Sequence, residues 1–172
     1  MRMKKEVNHG ALLRELAGSL SSTVTSFEQM SGRPAQSFPD YKKARAVYHE
    51  IQAMIFTIGD KAESRPNDAP RELKSWLIRM RLRSIAAFTR VSLAFFRNPP
   101  QLLVHALGAY EILQHEREAF TKVLADYDMM LFEAGIDDKT ADELDRVRVN
   151  MEEVVERLEN LLKTAPPQLT VF

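Results

Sequence analysis

Cysteine is absent from the chain, which excludes a disulfide scaffold, a thiol nucleophile and thiolate metal sites. The same absence suits a reducing compartment, so a cytoplasmic setting is expected. Glycine is sparse. The six glycines are scattered singly, and they build neither a phosphate-binding loop nor a dinucleotide fingerprint, nor is there a G-x-S-x-G elbow. No uninterrupted apolar run approaches ~18 residues, the length that would suggest a membrane span. The best stretch, Trp76 to Phe96, is broken by Arg79, Arg81, Arg83 and Arg90. The basic start MRMKK is not followed by the apolar core of a leader peptide.

Metal-binding patterns are missing too. A carboxylate-bridged di-metal bundle would need Glu-x-x-His twice, plus further glutamates on facing helices, and the chain does not supply that set. Glu111 and His115, with Glu118 nearby, share a helix face and read as a surface group. An Arg–His pair, Arg45 with His49 or Arg97 with His105, could sit in a cleft and contact a phosphate. Neither a metal nor a cofactor is expected, and nothing marks the chain as an enzyme.

Net charge is also lacking, with 24 basic and 24 acidic residues, but the average hides a division. Residues 1–97 carry 17 Lys/Arg and 9 Asp/Glu, a net of +8, whereas residues 98–172 carry 7 and 15, a net of −8. Such asymmetry either neutralises itself when the halves fold together or presents a basic face to an anionic partner.

What the sequence does have is helical periodicity. With 172 residues and 45 % apolar content, it suits one domain able to bury a core. The expected fold is all-α: a single antiparallel helical bundle over 1–172, of about five helices, with a short apolar tail at 165–172. A first helix is expected from Asn8 to Met30 and a second from Pro39 to Lys61, where Tyr41, Ala44, Tyr48, Ile51, Ile55 and Ile58 hold a seam. Asp68 and Pro70 mark the start of a third, ending at Arg97.

The fourth helix should be the longest, Pro99 to Ala134, opened by Asn98-Pro99 with Gln101 reaching back and closed by Gly135. Its seam reads Leu103, Ala106, Tyr110, Leu113, Arg117, Phe120, Leu124, Tyr127, Leu131, Ala134, with Gly108 inside as a possible bend. The fifth starts at the capping box Thr140 to Glu143, carries Leu144, Val147, Met151, Val154, Leu158 and Leu161, and stops before Pro166.

The third helix is the organising stretch. Between Arg71 and Arg97 it holds seven basic residues and one acid, yet it is too apolar to face water on more than one side. At 100° per residue, Arg79, Arg83, Arg90 and Arg97 form one stripe. The structural expectation is that this stripe pairs with acids of the bundle such as Glu152, Glu153, Glu156 and Glu159. The functional alternative is phosphate contact, with Lys42, Lys43 and Arg45 extending the patch. Met129, Met130 and Phe132 belong to an apolar run that surrounds its helix, so part of it should meet a second surface. These features point to a non-enzymatic protein-interaction bundle, adaptor or regulator, that self-associates as a homodimer. The alternative is a nucleic-acid-binding regulator using the arginine stripe.

Overall fold

The third helix is where the fold has to begin, because its composition leaves it no free apolar side. The computed structural model describes residues 8–133 and 138–166, and among these the regular structure is entirely helical. It comprises α1 (His9–Ser31), α2 (Phe38–Ser64), a 3₁₀ turn at Pro66–Asp68, α3 (Leu73–Arg97), α4 (Gln101–His105), α5 (Ala109–Glu133) and α6 (Asp138–Thr164). Fourteen of the 25 residues of α3 are buried, and α3 packs against α1, α2, α5 and α6. No helix among the described residues is long and apolar enough to cross a membrane.

Successive long helices run antiparallel. The ring Nε2 of His9 at the start of α1 lies 2.8 Å from the Lys61 carbonyl near the end of α2. Tyr48 of α2 stacks on Phe88 of α3 at 4.6 Å, and Phe88 stacks on Phe120 of α5 at 5.3 Å. The Tyr127 hydroxyl of α5 donates to the Leu144 carbonyl of α6 at 2.9 Å. Three aromatic rings thus join three helices through one α3 side chain. Removing Phe88 would leave a cavity between them, at about 3–5 kcal/mol.

Local signals explain most helix ends. Asn8 caps α1, its side chain accepting from the Ala11 N–H at 3.2 Å, and Ser37 caps α2 by accepting from Asp40. The seams of the second and fifth expected helices are recovered, with Leu144, Met151, Val154 and Leu158 buried on α6. On α1 Leu13, Leu20 and Phe27 are buried as expected and Val24 with them, while Met30, expected on the same face, is 38 % exposed. Asp68 does not cap α3. It belongs to the 3₁₀ turn, and α3 starts at Leu73 after Glu72 with no side-chain cap. The last expected helix already includes Asp138, so Thr140 lies inside it rather than before it. The Gly135 terminator, Ala134 and the tail beyond Pro166 lie outside the described residues.

The expected long fourth helix is two helices. α4 ends at His105, Ala106 adopts an extended conformation (ψ 151°), and Gly108 sits at φ 85° before α5 begins. A left-handed residue cannot continue an α-helix, and glycine is the residue that takes that conformation at no steric cost. Asn98 closes α3 rather than opening α4, its N–H donating to the Phe95 carbonyl, and Pro100 precedes α4 without a side-chain cap. The buried positions of α5 are Ala109, Leu113, Glu116, Phe120, Tyr127 and Met130, so the charge on the buried face is Glu116 and not Arg117.

Candidate functional site

Both α2 and α5 pack on α3, yet they share no extended backbone contact with each other. Side chains close the seam between them in three successive rungs. In the first, Arg81 of α3 donates from Nε to Gln52 at 3.1 Å and from Nη2 to Asp126 at 3.3 Å, while Gln52 donates to Ser84 at 2.9 Å. The second is the Tyr48–Phe88–Phe120 stack, where burial pushes the Tyr48 hydroxyl up to about 12.

The third rung is polar and buried. Glu116 is only 2 % exposed. Its Oε2 accepts from the Tyr41 hydroxyl at 2.8 Å, and its Oε1 lies 2.6 Å from Arg45 Nη1, an ion pair off the axis of a well-formed hydrogen bond. The fully buried Ser92 hydroxyl lies beside the Tyr41 hydroxyl. Burial first, and then the charge of Glu116, raise the Tyr41 hydroxyl well above its ordinary value. Arg45 carries the rung outward to solvent, where His49 and His115 stand exposed on α2 and α5.

Beyond this rung the seam opens into an apolar groove of about 390 Å³. Phe38 and Pro39 at the start of α2 form one wall, and Leu103, Ala106, Ala109 and Ile112 form the other. Gln36, Ser37, Pro100 and Leu102 complete it, and none of its lining residues is charged. The short α4 and the turn at Gly108 create this corner. Because Leu102, Leu103 and Val104 are consecutive in a helix, they cannot all face the core. Leu103 and Val104 turn inward, Leu102 is 83 % exposed, and Leu107 in the turn is 80 % exposed. A sequence signal that could have marked this site is the apolar run Leu102–Val104, four residues ahead of Gly108.

The arginine stripe is divided among different neighbours. Arg83 donates through Nε and Nη2 to Glu28 of α1, and Arg97 makes the equivalent pair with Glu153 of α6. Arg90 donates to the Ser31 hydroxyl at 2.8 Å, and Arg79 is exposed without a partner among the described residues. The pairing with Glu153 lies within the expected set of acids, whereas Glu28 on the basic half was not anticipated. Hydrogen bonds from Arg97 and Arg157 hold the Glu153 carboxyl down at about 2.

Of the apolar trio on α5, Met129 and Phe132 face solvent, Phe132 at 93 % exposure, while Met130 is 6 % exposed and packed in the core. Met130 lies one turn beyond Tyr127 on the buried face, so it cannot contribute to a surface there. Glu111 and His115 remain exposed and one turn apart. No group of three His, Asp or Glu residues among the described residues is arranged to hold a metal ion. Compared with protein-family models, curated proteins and solved structures, the chain matches none.

Proposed function

We propose that the protein is a non-enzymatic interaction bundle that self-associates through the α4 corner. The observation that carries this reading is the combination of two exposed leucines of one corner, Leu102 and Leu107, with the apolar groove that Leu102 lines. A two-fold interface must present one surface to a copy of itself, so it needs a projection and a recess on the same face. It also cannot carry an excess of one charge, and the groove's lining carries none. Leu102 and Leu107 of one copy would enter the groove of the other, covering side chains whose exposure otherwise opposes solubility.

Sedimentation of the full chain across a concentration series tests this. The mass should rise from 19.7 kDa towards twice that value, and Leu102→Asp with Leu107→Asp should keep the protein monomeric. A dimer that survives this double substitution but is lost on Met129→Glu with Phe132→Glu would move the interface to the end of α5. A monomer at every concentration would overturn self-association.

Nucleic-acid binding by the stripe is the second reading. It draws on Arg79, which has no partner among the described residues, and on a small recess of about 350 Å³ lined by Arg71, Lys74 and Glu133 near the start of α3. Against it, Arg83 and Arg97 already face carboxylates, which weakens a phosphate-facing row. Binding that falls steeply with salt, and whose slope Arg79→Ala reduces, would favour this reading.

A further inference from the structure

The outer edge of the third rung has a chemistry that self-association does not use. Arg45 and His49 are four residues apart on α2 and therefore share a face. His115 stands opposite on α5, beside Glu116. The Arg45 guanidinium is fixed from behind, because its carboxylate partner is buried and is itself held by the Tyr41 hydroxyl. Only Nη1 is engaged, which leaves Nε and Nη2 without a protein acceptor among the described residues. A pre-positioned guanidinium edge with free N–H groups, flanked by two exposed imidazoles, is a donor set for a small oxyanion. The same residues are not disposed around a cation.

We infer that Arg45, His49 and His115 form a proton-linked binding site for a phosphate-class oxyanion. The linkage follows from charge. Arg45 and Glu116 cancel, so with neutral imidazoles the site offers hydrogen bonds but no net positive charge. Protonating His49 and His115 supplies that charge, and a bound dianion stabilises the protonated forms.

Partial desolvation first, and then the charge of Arg45, lower the proton affinity of His49, with Glu116 acting in the opposite direction and His115 in the same one. Tyr48, whose ring lies 5.7 Å from that of His49, adds an aromatic wall. Lys42, one turn before Arg45 on α2, Glu50 beside His49, and Glu111 and Glu118, one turn to either side of His115 on α5, are further charges, and all four are exposed.

The test is a titration of the imidazole proton resonances of His49 and His115 in the full chain, in chloride and in sulfate at equal ionic strength. Sulfate stays dianionic across the range, so any pH dependence belongs to the protein. Both apparent pKa values should rise in sulfate, and sulfate affinity should climb towards tenfold per pH unit for each linked proton as pH falls. Arg45→Gln should abolish the shift.

Because Arg45→Gln also strips Glu116 of its counter-charge, His49→Gln with His115→Gln serves as the second variant. It should lose sulfate binding while keeping the thermal midpoint measured in chloride. Parallel arms with inorganic phosphate and with O-phosphoserine separate the sources. An equal response marks a free ion as the ligand, and a stronger response to phosphoserine marks a phosphoryl group carried on a larger molecule. Histidine titrations identical in chloride and sulfate, or a sulfate response unchanged in the double-histidine variant, would overturn the site.

Discussion

At the scale of single residues, Glu116 is the most consequential side chain that periodicity alone did not expose. The expected seam placed Arg117 on the buried face, because a step of four and then three from Leu113 reaches Phe120 through Arg117 as readily as three and then four reaches it through Glu116. The structure takes the other path, with Glu116 in line with Ala109, Leu113 and Phe120. Its partners lie 71 and 75 positions earlier, at Arg45 and Tyr41, so no local signal could announce them.

Two predictions belong at this scale. Glu116→Ala would leave the Tyr41 hydroxyl and the Arg45 guanidinium unpaired, and urea unfolding should show a loss of about 3 kcal/mol. Glu116→Gln, which keeps an acceptor for Tyr41, should lose less. The second prediction concerns pH. The Glu153 carboxyl is lowered in the folded state to about 2 from an ordinary value near 4.5. Its contribution to stability is therefore complete above pH 4.5 and is lost as pH falls towards 2. Thermal melts of Glu153→Gln and the parent should differ at neutral pH and converge at pH 2. Because the pair lies at the surface, added salt should shrink the difference.

At the scale of elements, the seams of α1, α2 and α6 were readable because an apolar residue every third or fourth position leaves a helix only one way to bury itself. Caps at Asn8 and Ser37 act within three residues of themselves, which makes their helix starts local events. The α4–α5 corner was harder to read, since a glycine inside a periodic segment is compatible with either a bend or a tolerated defect. Gly108 holds φ 85°, and a Cβ built there meets no atom within 4 Å. Gly108→Ala should therefore be destabilising through backbone strain alone, by about 1–2 kcal/mol on denaturant unfolding. A neutral or stabilising result would mean that the corner straightens readily into one helix, and the groove would then lose its outer wall.

At the scale of the molecule, the division into a basic and an acidic half is answered in part within the fold, by Arg45–Glu116, Arg81–Asp126 and Arg97–Glu153 across the two halves. The all-α bundle follows from composition and periodicity. The surface proposed for self-association lies where the expected long helix breaks. That surface is the α4 corner, and its proposed occupant is a second copy of the chain. Hydrogen exchange followed by mass spectrometry, on dilute and on concentrated protein, locates the contact directly. Slower exchange at high concentration confined to residues 36–39 and 100–112 is the predicted result, because docking of Leu102 and Leu107 would suppress opening of the short α4. Protection appearing instead at residues 128–133, or no protection at any concentration, would contradict the account.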